Sequence, residues 1–259
     1  MTTAKRAFDL VGAGLGVLLL APLLGLLALL VKVEDGGPVL FKQERVGYRG
    51  RRFRIWKFRT MVPDAESHGP PLTVGRDPRV TRIGAWLRPL KLDELPQLFN
   101  VLAGDMSLVG PRPDVPCYVD RYRPSERRVL ELVPGMTDPG ASCFVDESTR
   151  LAASHDPERN YLNEIAPEKI RLSLAYAQRA TVWTDLRMIL ATLRCLYWRS
   201  VASRPTTTAS RPTTTASRQT TTRRRADPPP DRRCPDAMRP PQASVLYEAN
   251  VPPPSPRIM

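Results

Sequence analysis

Cysteine and histidine are scarce in this chain of 259 residues. Its four cysteines are scattered without a C-x-x-C pair, and its two histidines, His68 and His155, stand far apart in the sequence. Structural zinc sites and disulfide frameworks require such residues in groups at characteristic spacings. The sequence therefore argues against both as the basis of the fold.

Acidic residues are outnumbered, since 39 lysines and arginines face 26 aspartates and glutamates and leave a formal net charge of +13. Such an excess indicates an anionic partner, which could be nucleic acid, a phosphorylated substrate or an acidic membrane surface. The length and the apolar fraction of 42% suffice for one sizeable domain or two small ones.

One long stretch contains no charge at all. It covers the 22 residues from Leu10 to Val31, which is enough to cross a bilayer as a helix. A secretory signal fits poorly, because the apolar run is too long and no small-residue cleavage site follows it.

Pro22 lies in the middle of this run, where it removes a backbone donor and predicts a kink after Ala21. Basic residues flank both ends of the run, among them Lys5 before it and Lys32 after it. Both flanks thus carry the signature of the cytoplasmic side. We therefore expect a re-entrant helix that breaks at Ala21 and Pro22, with a bent spanning helix as the alternative.

The segment after Gly37 predicts a β-hairpin, because two runs rich in β-branched and aromatic residues flank a Gly-Tyr-Arg-Gly turn. Near the end of the second strand, Lys57 and Arg59 alternate with Trp56 and Phe58. This arrangement can hold cations against a partly buried phosphate. A solvated or lipid-facing surface explains the other basic residues of the hairpin.

Asp93 and Glu94 stand side by side where a helix is predicted to begin, before a stop at Gly104. Carboxylates in a first helical turn commonly cap the free N–H groups and interact favourably with the helix dipole. Taken alone, the pair is best interpreted as a cap.

The residues around the pair favour a second interpretation. Arg112 lies between Pro111 and Pro113, which hold the backbone extended and present one guanidinium rigidly, as phosphate recognition requires. With Arg88, Lys57 and Arg59, it could surround the two acids. Carboxylates among several cations suggest a metal-assisted reaction on phosphate.

Four stretches of the sequence are recognisable together: FDLVGAGLGVLLLAPLL, GPVLFKQERVGYRGRRFRIWKFRTM, DPRVTRIGAWLRPLKLDELPQLFNVLAGDMSLVGPRP and LVPGMT. From about Lys5 to Leu196 the chain resembles the bacterial sugar transferases known as monotopic phosphoglycosyl transferases. The resemblance implies transfer of a sugar phosphate from a nucleotide diphosphate sugar to a polyprenyl phosphate such as undecaprenyl phosphate. Release of a nucleoside monophosphate would accompany this first step of lipid-linked glycan or exopolysaccharide synthesis.

The resemblance also implies roles for individual residues. Asp93 would be the nucleophile that forms a covalent phosphosugar, and Glu94 would help to hold Mg²⁺. Arg88 and Arg112 would bind phosphate, with Lys57 and Arg59 as further candidates.

The implied partners are the nucleotide sugar, the polyprenyl phosphate and membrane lipid, at the cytoplasmic face of the plasma (inner) membrane. We expect no nucleic acid partner, and the sequence leaves a homodimer open.

Two departures from the family pattern stand out. The usual Ser-Pro at the helix break is replaced here by Ala21-Pro22, and the Gly-rich segment that commonly follows Thr137 is replaced by DPGASCFVDESTR. The second departure indicates a variant branch. We interpret Asp146, Glu147 and Asp185 there as surface or capping residues by default.

We therefore predict an α+β fold with a mostly helical compact body, one β-hairpin, an N-terminal membrane-embedded re-entrant helix and amphipathic interfacial helices. The expected organisation is a membrane helix in residues 1–36, a catalytic domain in 37–199 and a disordered repeat tail in 200–259. The rival hypothesis is a membrane-anchored basic adaptor that binds anionic lipid or nucleic acid without catalysis, with Asp93 and Glu94 merely capping a helix.

Overall fold

The structure is a computed structural model, and it describes residues 1–69, 72–75, 77–138 and 147–202. The predicted repeat tail lies almost wholly outside the described residues, as does Asp146. The described part is mostly helical and contains two small two-stranded sheets, in agreement with an α+β fold.

Helix α1 spans Thr3–Asp35. The Thr2 side chain caps its start by accepting a hydrogen bond from the Lys5 backbone N–H, and Gly36 ends it in the left-handed region at φ 72°. Its 33 residues correspond to about 50 Å of helix. Among the described residues, α1 is the one helix that is long and apolar enough to cross a membrane.

Helix α1 is continuous through Ala21 and Pro22, so Pro22 does not end it, and a bend at this point is compatible with the helical backbone. A proline inside a helix removes only one backbone hydrogen bond, and packing on both sides can hold the helical path. Leu20 packs against one buried cluster of the body, and Leu23 packs against another.

The predicted hairpin is confirmed. Strand β1 (Leu40–Val46) pairs antiparallel with β2 (Arg52–Phe58), and the register places Val46 opposite Arg52. The turn includes Arg49 at φ 55° and Gly50 at φ 77°, which allows the chain to reverse within a few residues.

Two short helices precede the acidic pair and one follows it. Helix α2 (Arg82–Leu87) continues as a 3₁₀ turn over Arg88–Leu90, which contains Pro89. A second 3₁₀ turn, Leu92–Glu94, contains both acids and leads into α3 (Gln97–Ala103). As predicted, the stop is at Gly104, whose φ is 90°.

A second sheet was not predicted. Strands β3 (Ser107–Val109) and β4 (Gly135–Thr137) pair in parallel. They lie so close at Gly110 and Gly135 that a Cβ added to Gly135 would stand 2.0 Å from the Gly110 nitrogen. Glycine is therefore required at this crossing, which fixes the segment that leads to Arg112.

The other regular elements of the described residues are helical. They are a 3₁₀ helix (Ala65–His68), α4 (Pro116–Val119), a 3₁₀ helix (Glu126–Glu131), α5 (Glu147–Ala152), α6 (Pro157–Asn160), a π-helical turn (Tyr161–Ile165), α7 (Ala166–Ala177) and α8 (Val182–Ala202).

Helix α1 contributes to both buried apolar clusters of the body. Ala13 packs with residues of β2 and α3, including Ile55 and Val101, while Leu27 and Val31 pack with Phe58 and Leu87. Its opposite side carries exposed apolar residues from Val11 to Val33, which we call the outer stripe. The outer stripe consists of Val11, Leu15, Leu18, Leu19, Leu26, Leu29 and Val33.

Candidate active site

Asp93 and Glu94 are both buried, with 7% and 6% of their surface exposed. Neither carboxylate accepts a hydrogen bond from a backbone N–H group, and neither adjoining helix start has a side-chain cap. A capping role would require such bonds. The geometry therefore disagrees with the interpretation of the pair as a cap.

Glu94 is neutralised by two cations that come from different parts of the chain. Lys57, on β2, places its Nζ 3.1 Å from Glu94 Oε1. Arg112 places Nη2 2.5 Å from the same oxygen and Nη1 3.1 Å from Oε2, which is a two-point contact. Although burial opposes ionisation, the charges of Arg112 and Lys57 hold the pKa of Glu94 well below its usual value.

Asp93 has the opposite environment. Its Oδ1 atom is buried and has no hydrogen-bond partner. Burial, followed by repulsion from Glu94, raises the pKa of the Asp93 carboxyl, while Lys57 opposes this change. Two adjacent carboxylates are thus made unequal, with Glu94 fixed by cations and Asp93 left available.

The two cations that contact Glu94 have pKa values shifted in opposite directions. The Glu94 charge raises the pKa of Arg112, which therefore stays protonated. Burial lowers the pKa of Lys57 to about 8, although Glu94 opposes the change. The cluster thus contains one permanent cation and one that can titrate near neutral pH.

Arg88 lies close enough for its charge to lower the pKa of Asp93. Its Nη2 donates to Thr73 Oγ1 at 2.7 Å, and its buried Nη1 has no hydrogen-bond partner. Nη2 of this guanidinium is therefore held by a hydrogen bond, whereas Nη1 could donate to a ligand.

Arg59 does not join the cluster. Its guanidinium pairs with Asp35 at the end of α1, and its Nε donates to the Pro38 carbonyl at 2.7 Å. Strand β2 ends at Phe58, so the alternation that places Lys57 beside Glu94 does not extend to Arg59. Sequence reasoning did not identify Asp35 as the partner of Arg59.

Sequence reasoning missed Asn100, which positions the two halves of the cluster. Its Oδ1 accepts from the Trp56 backbone N–H at 3.0 Å, and its Nδ2 donates to the Arg54 carbonyl at 2.8 Å. These bonds fix α3 against β2 and so hold Glu94 beside Lys57. The sequence feature that could have indicated this role is a polar amide within an otherwise apolar helical pattern.

Sequence reasoning also missed Asp114, two residues after Arg112. Its Oδ2 accepts from the hydroxyls of Tyr161 at 2.8 Å and Tyr122 at 3.2 Å. Arg45 lies 3.7 Å from Asp114 Oδ1 and also donates to the Pro113 carbonyl at 3.2 Å. This network fixes the backbone that presents Arg112 to Glu94.

A third missed acid, Asp138, lies just after β4, where the sequence departs from the family pattern. It is buried and accepts a hydrogen bond from Ser173 Oγ on α7 at 3.2 Å. Its charge also contributes to the raised pKa of Arg112. The divergent segment after Thr137 is therefore connected to the site.

Asp185 and Glu147, assigned by default to surface or capping roles, both form ion pairs. Asp185 is fully buried against Lys5 and Tyr176, so the surface interpretation is wrong for it. Glu147 pairs with Lys169 at 2.6 Å. Neither partner could be inferred from the sequence, because both lie on other elements.

The residues present are compatible with a Mg²⁺ ion that arrives with a phosphate ligand. No group of three or more metal-binding side chains occurs in the described part of the chain. Mg²⁺ is commonly held by one or two carboxylates together with substrate phosphates and water. Glu94 Oε2 accepts only one hydrogen bond, and Asp93 Oδ1 accepts none, so each retains a lone pair.

The chain is similar to a family of known proteins. The family model described as bacterial sugar transferase matches residues 1–199. A UDP-N-acetylgalactosamine-undecaprenyl-phosphate N-acetylgalactosaminephosphotransferase from Aeromonas hydrophila is 38% identical over 193 residues, covering 74% of this chain and 43% of that protein.

Two further relatives are matched over more of their length. A UDP-glucose:undecaprenyl-phosphate glucose-1-phosphate transferase from Caulobacter vibrioides is 39% identical over 197 residues, covering 74% of this chain and 69% of that protein. The exopolysaccharide production protein PSS from Rhizobium leguminosarum bv. phaseoli is 38% identical over 195 residues, covering 73% of this chain and 92% of that protein.

The chain spans less than half the length of the Aeromonas relative but most of the Rhizobium one. The matched range, residues 1–199, spans the part of the chain that contains the acidic cluster. The resemblance seen in the sequence is thereby confirmed, and this chain belongs to the bacterial sugar transferase family.

Proposed function

We propose that this protein is a phosphoglycosyl transferase that moves a sugar 1-phosphate from a UDP-sugar to undecaprenyl phosphate through a covalent intermediate on Asp93. The observation that carries the proposal is the buried, unpaired Asp93 Oδ1 beside a Glu94 that Lys57 and Arg112 have neutralised. The relatives named for UDP-sugar and undecaprenyl phosphate support the choice of substrates.

The reaction proceeds in two displacements at one phosphorus atom. The Asp93 carboxylate attacks the phosphorus that carries the sugar, an O–P bond forms, and the bond to the nucleoside monophosphate breaks. The monophosphate leaves as an anion with the bonding electron pair. A phosphate oxygen of undecaprenyl phosphate then attacks the same phosphorus, which releases the Asp93 carboxylate and yields undecaprenyl-diphosphate sugar.

The neighbouring cations overcome the repulsion between a carboxylate and a diphosphate. Arg88 has a buried N–H without a partner among the described residues, and its charge lowers the pKa of Asp93, while Arg112 stays protonated beside Glu94. Fixed positive groups stabilise charge on the transferring phosphoryl group and on the departing monophosphate. A carboxylate nucleophile needs no general base, which agrees with the absence of histidine from the cluster.

We further propose that the enzyme uses Mg²⁺, with Glu94 Oε2 and the substrate phosphates as its ligands. When bound, the ion would neutralise charge on the diphosphate. Arg112 and Lys57 would continue to orient the Glu94 carboxylate from its other side.

The membrane topology is part of the proposal. Near the start of α1, Arg6 Nη1 donates to the Val101 carbonyl at 2.8 Å, and near its end Glu34 Oε1 accepts from the Ile83 backbone N–H at 3.0 Å. Both ends therefore contact the same body. A helix that spanned the bilayer would have its ends on opposite sides, so these contacts favour a helix that enters and leaves on the cytoplasmic face.

Helix α8 would add an interfacial surface to the same face of the protein. Its exposed residues include Trp183, Leu190 and Tyr197, with Arg187 stacked on Trp183 at 5.1 Å. Aromatic and basic side chains beside leucines suit the boundary between headgroups and acyl chains.

The rival function, a non-catalytic basic adaptor, receives less support. It needs the acidic pair only as a helix cap, and neither carboxylate accepts a backbone N–H. It also gives no reason to bury an unpaired carboxylate, which is an unfavourable arrangement.

The decisive experiment is UMP release from a panel of UDP-sugars by the detergent-purified protein, with undecaprenyl phosphate and Mg²⁺. We expect release to require the lipid and the metal and to disappear in Asp93→Asn. Full turnover by folded Asp93→Asn would contradict the assignment of the nucleophile. Absence of release by the wild type across the panel would contradict the proposed activity.

A further inference from the structure

Gln97 is a buried polar residue for which the two-step reaction so far has no role. It is the first residue of α3 and only 1% of its surface is exposed. Its side-chain Nε2 is buried and has no hydrogen-bond partner. An unpaired buried amide donor is unfavourable, because the group loses its water without gaining an acceptor.

The side of α3 that carries Gln97 faces the acidic cluster. The chain keeps helical dihedral angles from Leu92 through Leu95 and Pro96 into α3, so residues three and four apart share a face. Glu94, one turn before Gln97, contacts Lys57 on β2, and Asn100, one turn after it, bonds the backbone of β2. Gln97 therefore lies between two residues that both face β2.

Three unpaired atoms belong to this region. Arg88 Nη1 and Gln97 Nε2 are donors without acceptors, and Asp93 Oδ1 is an acceptor without a donor. Since Gln97 Nε2 and Asp93 Oδ1 are both unpaired, they do not bond each other. A phosphoryl group bonded to Asp93 would bring several acceptor oxygens to the helical face that Asp93 shares with Gln97, four residues further along.

We propose that Gln97 is a catalytic residue whose side-chain amide donates a hydrogen bond to a non-bridging oxygen of the phosphosugar group as it is transferred to and from Asp93. The inference rests on the proposed function and extends it, because it adds a neutral donor to the cations that contact the phosphate. A neutral donor can stabilise the phosphoryl oxygens without lowering the nucleophilicity of Asp93, which another positive charge would do.

The test compares Gln97→Met and Gln97→Glu with wild type in the UMP-release assay, and measures Tm for each protein. Gln97→Met keeps the approximate size but removes the donor, so kcat/KM for the UDP-sugar should fall roughly tenfold or more. Its Tm should equal or exceed that of wild type, because an apolar side chain replaces an unpaired buried amide. Gln97→Glu replaces a donor with a carboxylate and should lose more activity.

The exposed Gln178, at the end of α7, provides a matched control, and Gln178→Met should leave turnover unchanged. Turnover within twofold of wild type in either Gln97 variant would overturn the inference. So would a parallel loss of Tm and turnover in Gln97→Met, which is the signature of a structural role.

The proposed function can fail separately from this inference. If wild type releases UMP, Asp93→Asn does not, and Gln97→Met is fully active, only the role of Gln97 is wrong. If wild type shows no release that depends on Asp93, the proposed function is wrong and this inference falls with it.

Discussion

At the scale of single residues, Asp93 and Glu94 differ more than their adjacency suggests. Glu94 has both oxygens engaged by cations, whereas Asp93 Oδ1 is buried without a partner. Burial and the neighbouring charge raise the pKa of Asp93, so the folded state disfavours its ionised form. Burial of Asp93 therefore opposes folding, whereas Glu94 helps to hold the cluster together.

This difference predicts stability changes of opposite sign. A pKa that folding raises means that the Asp93 charge opposes folding at neutral pH. Asp93→Asn should therefore raise Tm at pH 7.5. Its advantage should shrink as the pH falls through the raised pKa and Asp93 itself becomes neutral.

Glu94→Gln should instead lower the free energy of unfolding by about 3 kcal/mol, because it leaves two partly or wholly buried cations without a countercharge. Thermal and denaturant unfolding of the detergent-solubilised proteins would measure both effects. A lower Tm for Asp93→Asn at pH 7.5 would contradict the interpretation of Asp93 as an unfavourably buried charge.

The pKa of Lys57 predicts how the activity changes with pH on the alkaline side. Because burial lowers its pKa to about 8, raising the pH through 8 removes its charge and leaves Glu94 with Arg112 alone. Activity should fall above pH 8, and it should also fall at acidic pH as Asp93 becomes protonated.

Lys57→Arg serves as the control for this limb, because arginine stays charged throughout this pH range. The alkaline limb of kcat/KM should move to higher pH in this variant. If kcat/KM of Lys57→Arg falls at the same alkaline pH as that of wild type, another group or the substrate is responsible for the fall.

At the scale of elements, the site depends on contacts between segments far apart in the sequence. The π-helical turn Tyr161–Ile165 brings the Tyr161 hydroxyl to Asp114, and α7 brings Ser173 to Asp138. Helical irregularities of this kind occur frequently at functional sites. The π-helical turn thus helps to position the chain around Arg112, and α7 contacts Asp138, whose charge affects Arg112.

Tyr161→Phe tests this connection. Asp114, whose side chain is 11% exposed, would lose its closer hydroxyl donor and retain Tyr122 at 3.2 Å. We expect a loss of about 1–2 kcal/mol in the free energy of unfolding. Denaturant titration would measure it, with Tyr48→Phe in the exposed hairpin turn as the control. Equal stability of the two variants would contradict a positioning role for the network.

At the scale of the whole molecule, α1 is both part of the core and the most lipid-compatible surface. Its inner side supplies Ala13, Leu27 and Val31 to the two buried clusters, while the outer stripe stays exposed. Exposed apolar patches of this extent mark sites of membrane or protein interaction. The outer stripe is therefore the surface that we expect to face the bilayer.

This arrangement predicts that the segments before and after α1 lie on the same side of the membrane. With the native cysteines replaced by serine, Thr3→Cys and Arg51→Cys should both react with a membrane-impermeant maleimide added from the cytoplasmic side. The reason is that both ends of α1 contact the same body. Labelling of the two positions from opposite sides would contradict the re-entrant topology.

The sequence by itself determined the local elements and the chemical type of the site. Period-two patterning and a tight turn specified the hairpin, and an uncharged run of 22 residues specified the apolar helix. Asp93, Glu94, Arg88 and Arg112 were recognisable because they lie within one short stretch of the chain with characteristic spacing. Local patterns of this kind depend on neighbours in sequence, so they can be read without the fold.

Only the tertiary structure decided which charges meet. It paired Lys57 with Glu94 but Arg59 with Asp35, and it brought Asp114, Asp138 and Asn100 to the site through contacts between distant segments. It also formed a parallel sheet from two three-residue strands that carry too little local pattern to predict. Burial and charge pairing depend on the whole packed body, and for that reason Asp93 and Glu94, adjacent in sequence, have opposite electrostatic environments.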